Sequence, residues 1–214
     1  EVSFVDKWVG HLLEKVDRMG LKDDTAIIVL SDHGTQVMDH GSFGKGGSNL
    51  RAYNTGIVWQ MRLPKHKPAQ INALVQSHDV MPTLLDILDI PYELTDGSSA
   101  MPVVRGETDK IRDAIVCGWS EFASGNAAAT ASVRTAEWNF VTSVDKKEPQ
   151  HLFDLAADPD ENTDVIAEHP DVAVELRGHV EAVVGQPLPA TLNEVCDTQP
   201  SPIITYLDAR KRIR

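Results

Sequence analysis

The chain has 214 residues, with 20 Lys and Arg against 32 Asp and Glu and a formal charge of −12. An apolar fraction of 42% and a charged fraction of 24% exclude a disordered tail and allow a buried core. The acidic balance argues against a nucleic-acid partner. No apolar run approaches the roughly 20 residues of a spanning helix, so no membrane partner is expected.

Residues 2–19 read as an amphipathic helix, because Val5, Trp8, Val9, Leu12, Leu13, Val16 and Met19 recur at helical spacing and Gly20 offers a stop. Residues 26–30 (Ala-Ile-Ile-Val-Leu) are short, continuous and β-branched, as in a strand covered on both faces. A helix followed by such a strand suggests an α/β parallel sheet. Residues 56–61 give a second strand candidate. Residues 79–90 give a second helix with Pro82 in its first turn and Pro91 beyond its end.

From about residue 92 the pattern changes. Asp96-Gly97 and Arg105-Gly106 are turn-like. Strands are expected at 114–119, 131–143 and 151–155, with Ser132 to Val141 folding as a hairpin. A last helix spans 171–184, its apolar side drawn from Val172, Val174, Leu176, Val180 and Val183. The tail from Gln186 contains four prolines and should be irregular, and the basic Arg210, Lys211, Arg212 and Arg214 read as a frayed terminus. The chain opens on Glu1 without a signal peptide and reads as processed or excerpted. Two cysteines, Cys117 and Cys196, make no disulfide framework, so a periplasmic or secreted location and a cytoplasmic one both stay open.

Two segments hold chemistry. Ser31-Asp32-His33-Gly34 follows the apolar strand directly, and ligands collect at the carboxyl ends of strands in open α/β sheets. Asp32 offers a hard oxygen and His33 an imidazole nitrogen, so both can reach one divalent cation; a turn with a capping Asp and an exposed His is the alternative. Asp39-His40-Gly41-Ser42-Phe43-Gly44-Lys45-Gly46-Gly47 could bring backbone and the Lys45 ammonium to an oxyanion, or could be a flexible loop with a solvated lysine. It is no P-loop, since Gly46 stands where Ser or Thr is required. Asp158, Asp160, Asn162 and Asp164 alternate like a calcium loop, but Thr163 and His169 occupy its Gly and Glu positions, so the segment reads as a solvated acidic turn. No nucleophile elbow or zinc-protease motif is present, and neither cysteine has an activating setting.

In their order these pieces resemble the carboxyl-terminal part of the sulfatase family, within the alkaline phosphatase superfamily. The resemblance rests on the run from Leu21 to Gly34, on Asp39-His40-Gly41 through Gly44-Lys45-Gly46, and on His78-Asp79-Val80-Met81-Pro82-Thr83-Leu84-Leu85-Asp86. It continues in Asp96-Gly97-Ser98-Ser99, Val104-Arg105-Gly106-Glu107, Ser132-Val133-Arg134-Thr135 and His151-Leu152-Phe153-Asp154-Leu155 with Asp158-Pro159-Asp160-Glu161. It implies an α/β fold: the carboxyl-terminal part of an alkaline-phosphatase-like sandwich plus a small antiparallel sheet subdomain with a helix. Residues 1–105 would belong to the catalytic domain and 106–214 to the subdomain.

The resemblance further implies hydrolysis of sulfate esters through a formylglycine and a divalent metal. Asp32 and His33 would be metal ligands, and Lys45 would bind substrate and act in catalysis. Calcium is the family's usual ion, and the imidazole of His33 suits manganese, iron or zinc as well. The family's Cys-x-Pro/Ser-x-Arg motif matches neither Cys117 nor Cys196, and Asn49-Leu50-Arg51-Ala52-Tyr53-Asn54-Thr55 replaces its Glu-Ser-x-Arg-x-Pro-like strand. The segment is therefore expected to be part of a longer enzyme, inactive alone, and to associate through exposed apolar sheet surface with the remaining catalytic domain or a second copy. A phosphonate monoester or phosphodiester hydrolase is the alternative enzyme, and a noncatalytic interaction module the alternative outside enzymes.

Overall fold

The computed structural model describes residues 1–45, 50–93, 95–123, 126–144 and 149–189, with the side chains of 120–128 left out. Gly46, Gly47, Cys196 and the basic residues 210–214 lie outside the described residues. The chain divides into two compact units: Glu1–His33 with Ile57–Ile71, and Gly34–Gly56 with the residues from Asn72 onward.

The first unit opens with helix α1 (Val2–Arg18), where the apolar spacing places it. Lys15 and Arg18 sit in its last turn, where cations complement the helix dipole. None of its residues is buried, and Phe4, Val5, Trp8 and Leu12 are each more than half exposed. Strand β1 (Ile27–Leu30) follows. The expected parallel pairing is corrected here. Skipping ahead in the chain, its partner is the strand Trp59–Arg62, which runs antiparallel with Ile28 opposite Met61. Among the described residues β1 pairs with that strand alone, and its apolar run is only half-buried, with Leu30 exposed. Arg62 Nη1 donates to Asp17 Oδ1 at 2.9 Å, tying that strand to the end of α1.

The second unit begins with a small hairpin, β2 (Gln36–Val37) and β3 (Phe43–Gly44), turned by a 3₁₀ segment at Asp39–Gly41. The one-turn helix α2 (Ala52–Thr55) closes this region, and β4 is the Trp59–Arg62 strand already met. Helix α3 (Val80–Ile87) starts one residue later than the spacing suggests, with Pro82 buried in its first turn. Helix α4 (Met101–Val104) follows.

The remainder is an antiparallel sheet in sequential order: β5 (Ile115–Ala123), β6 (Asn126–Arg134), β7 (Trp138–Ser143) and β8 (His151–Asp154). Side chains alternate between its faces. Val133, Phe140 and Leu152 point one way, where helix α5 (Pro170–Val184) covers them with Ala173, Leu176 and Val180. Val141 and Phe153 point the other way and bury Leu50. The expected apolar side of α5 is corrected in part, because Val174 and Val183 are exposed and Ala173 is buried instead. Gly185 ends α5 at φ +79, a left-handed cap open to glycine.

Candidate functional site

Ser31 extends the β1–β4 pairing: its N–H donates to the Val58 carbonyl at 3.0 Å, and the Val58 N–H donates to Ser31 Oγ at 2.8 Å. That double contact fixes the chain where Asp32 and His33 leave the strand. Asp32 Oδ1 accepts the His33 N–H at 3.0 Å, while Oδ2 lies 3.5 Å from His33 Nε2. The carboxylate is 87% exposed and the imidazole 39%. An oxygen and a nitrogen donor thus stand side by side at an open strand end. The pair fits part of a cation's shell but not the whole, since zinc takes about four ligands and calcium about 6–8. Among the described residues no group of three or more His, Cys, Asp and Glu converges.

Lys45 follows β3 in the second unit and is exposed. Its loop closes tightly at the base. The Gly34 N–H donates to the Asn54 carbonyl at 2.9 Å, and a Cβ at Gly34 would lie 2.1 Å from the Tyr53 carbonyl oxygen. Only glycine admits that approach. Asp39 Oδ2 accepts the Val37 N–H at 2.8 Å. Met38 and His40 both adopt positive φ, 74° and 51°. The His40 ring packs against Tyr53 at 5.6 Å between centroids, which accounts for this histidine by packing.

Two groups escaped the sequence reading. Asp79 is fully buried and held by Arg112 and by the N–H groups of Gln76 and Ser98. Burial alone would raise its pKa, but these partners outweigh it and hold the carboxyl below its ordinary value. Glu161 is likewise buried, at φ +58, and accepts from Arg134 Nη1 at 2.6 Å, Asn139 Nδ2 at 2.9 Å and the Ala52 N–H at 3.3 Å. Both residues lie inside the segments that carry the family resemblance, which was the one signal for them.

The acidic turn is ordered rather than merely solvated. Asp158 Oδ2 accepts the N–H groups of Asn162 and Thr163, so hydrogen bonds from Thr163 foremost lower its pKa. Asp160 accepts the Tyr53 hydroxyl at 3.0 Å and holds that phenol above its usual pKa. Asp164 accepts from the Leu152 and Ile166 N–H groups and pairs with His151. Each carboxylate has a separate partner, unlike the convergent oxygens of a calcium loop. Cys117 is a free thiol, and burial pushes its pKa up, away from nucleophilic use.

Mixed helix and small antiparallel sheets, with an oxygen and a nitrogen donor at the end of β1, are consistent with the carboxyl-terminal region of an alkaline-phosphatase-like fold. The family model for N-sulphoglucosamine sulphohydrolase, C-terminal, matches residues 39–184, and the model for type I phosphodiesterase / nucleotide pyrophosphatase matches residues 1–76. The chain therefore belongs to the sulfatase family, as its carboxyl-terminal part. It is 32% identical over 191 residues to arylsulfatase K of Rattus norvegicus, covering 85% of this chain and 33% of that protein. It is 30% identical over 174 residues to choline-sulfatase of Rhizobium meliloti (strain 1021), covering 79% and 32%. The chain spans about a third of the length of the curated relatives it matches.

Solved structures agree on the fold. A 2-O GAG sulfatase matches with a TM-score of 0.77 at 21% identity, over 85% of this chain and 40% of that one. The phosphonate monoester hydrolase of Agrobacterium radiobacter matches with a TM-score of 0.71 at 28% identity, over 86% and 39%. A protein solved with its substrate D-glucosamine-2-N,6-O-disulfate matches with a TM-score of 0.71 at 25% identity, over 85% and 38%. Membership of these families suggests use of a divalent metal in general.

Proposed function

We propose that the complete protein hydrolyses sulfate esters and that residues 1–214 supply part of its metal site and its anion-gripping lysine. The carrying observation is the Asp32–His33 pair, 3.5 Å apart at the open end of β1, in a chain of the sulfatase family. A divalent cation bound there would polarise the sulfate oxygens, with calcium favoured by the resemblance and manganese or zinc compatible with the imidazole. Asp32 would hold the cation by a carboxylate oxygen and His33 by a ring nitrogen. Lys45 binds the sulfate or the leaving-group oxygen and offsets the charge that develops as the S–O bond breaks. The nucleophile that the family implies, a formylglycine, is proposed to lie outside residues 1–214. Residues 1–105 then belong to the catalytic domain and 106–214 to the small subdomain.

The test uses the complete protein with an aryl sulfate and quantified metal. Asp32→Ala and His33→Ala should each weaken metal binding, and Lys45→Ala should lower kcat/KM by about 10²–10³-fold. Unchanged weak metal binding in both ligand variants would favour a noncatalytic module. A second reading, phosphonate monoester or phosphodiester hydrolysis, draws on the 28% identical phosphonate monoester hydrolase. A higher kcat/KM on an aryl phosphonate than on the matching sulfate would select it.

A further inference from the structure

Residues 50–53 are gripped one after another by the small sheet and the turn that follows it. The Leu50 carbonyl accepts from Asn139 Nδ2 at 3.4 Å, and the Leu50 side chain is buried with Val141 and Phe153. The Arg51 guanidinium carbon lies 4.6 Å from the centre of the Phe153 ring. The Ala52 N–H donates to Glu161 Oε1, and the Tyr53 hydroxyl donates to Asp160 Oδ1.

Glu161 is the stiffest of these anchors. It is fully buried and sits at φ +58, a conformation that a residue with a Cβ adopts only when its surroundings over-determine it. Its carboxylate is shared among Arg134, Asn139 and the first N–H of α2, so neither oxygen can move without stranding a donor. From α2 the constraint runs through the backbone. The Asn54 carbonyl accepts the Gly34 N–H, which joins α2 to the start of the β2–β3 hairpin, and Lys45 follows β3 directly.

We propose that Glu161, with Asp160 beside it, is a positioning residue for the Lys45 loop: the turn after the small sheet fixes the loop's base and thereby the reach of the lysine. The inference rests on the reading of Lys45 as the anion-gripping group. Glu161 is closed off from solvent and acts only through α2 and the loop backbone. The turn that resembles a failed calcium loop thus has a mechanical task.

The complete protein carries the test, with Glu161→Gln and Tyr53→Phe each placed in the Lys45 and the Lys45→Ala background. Tyr53→Phe removes one hydroxyl at the surface end of the clamp, so it keeps the test alive if Glu161→Gln fails to fold. Amide exchange across residues 34–56 should rise roughly tenfold in Glu161→Gln and less in Tyr53→Phe, with α5 exchange unchanged. kcat/KM on an aryl sulfate should fall roughly tenfold or more with Lys45 present and fall no further in Lys45→Ala. Unchanged exchange at 34–56 in the folded variants overturns the proposal. So does an equal loss of kcat/KM in both backgrounds, since the effect would then bypass the lysine. A Lys45→Ala protein with full activity would instead defeat the anion-binding reading, and the exchange measurement would still decide whether the clamp exists.

Discussion

Arg112 meets both oxygens of Asp79: Nη1 donates to Oδ2 and Nη2 to Oδ1, each at 2.5 Å. The pair is the hub of the region around α3. Asp79 also accepts the N–H groups of Gln76 and Ser98 at 2.7 and 2.8 Å, and its own carbonyl accepts the Thr83 hydroxyl at 2.6 Å. Thr83 Oγ1 in turn accepts the Ala100 N–H at 2.9 Å, so one carboxylate organises three chain segments. Replacing Asp79 by Ala leaves the largely buried guanidinium without its carboxylate counter-charge, though Nη1 still donates to the Leu74 carbonyl. A loss of about 3–5 kcal/mol is expected, read by denaturant unfolding at neutral pH.

The same pair fixes the sign of a pH dependence. The partners hold the folded pKa of Asp79 below its ordinary 3.8. A depressed carboxyl stabilises the fold fully above the unfolded pKa and loses that contribution as pH falls through the folded one. Stability should therefore decline below about pH 4 more steeply in the wild type than in Asp79→Asn, compared as the difference between their unfolding curves. Parallel curves down to pH 2 would show that the pair is energetically idle.

Gly34→Ala should damage the loop base rather than the sheets. The new methyl would meet the Tyr53 carbonyl oxygen at 2.1 Å and the Gly56 carbonyl oxygen at 2.9 Å, and backbone cannot rotate aside as a side chain can. Overpacking of this kind costs about 1–3 kcal/mol. The expected readout is faster amide exchange at Gly34 and across α2, with β6 and β7 protection kept.

How much of this was legible follows from what each signal measures. Helical spacing found α1 and α5 because a 3.6-residue period is written locally. It misassigned Val174 and Val183 because apolar content alone does not say which stripe the sheet will cover; Ala173 wins by its position facing the sheet. The apolar run at 27–30 marked a strand but not its partner, and the antiparallel mate at 59–62 lies beyond the reach of local pattern. The start of β6, Asn126 to Ala131, is alanine-rich and poor in strand formers. Its conformation comes from pairing with β5, and near its end with β7 as well. Asp32, His33 and Lys45 stand out in the sequence as candidates at a strand end and in a glycine-rich stretch, and the structure places the first two side by side. The tasks of Asp79 and Glu161 could not be read there, because, apart from Gln76 beside Asp79, their partners lie 19 to 109 residues away.

The acidic turn at 158–164 should not act as a metal loop. Asp158 spends its carboxylate on the Asn162 and Thr163 N–H groups, and Asp164 on those of Leu152 and Ile166. Asp158→Asn should loosen the turn, seen as faster exchange of the Asn162 and Thr163 amides, while leaving metal affinity unchanged. A clear fall in calcium affinity in that variant would reverse this assignment and make the turn a binding loop.

The covering helix allows a paired test of which face of α5 stabilises the subdomain. Leu176 and Val180 are 4% and 1% exposed and pack on Val133, Phe140 and Leu152, whereas Val174 is 65% exposed. Truncating Leu176 to Ala removes a buried isobutyl group and leaves a cavity against β7, for a cost of about 2–5 kcal/mol. Truncating Val174 to Ala removes little buried area and improves helix propensity, so its effect should stay within about 0.5 kcal/mol of zero. Both are measured by urea unfolding followed through Trp138, which packs at the edge of the same core. Equal losses for the two variants would mean that Val174 is covered in solution, and the helix would then have a second buried face.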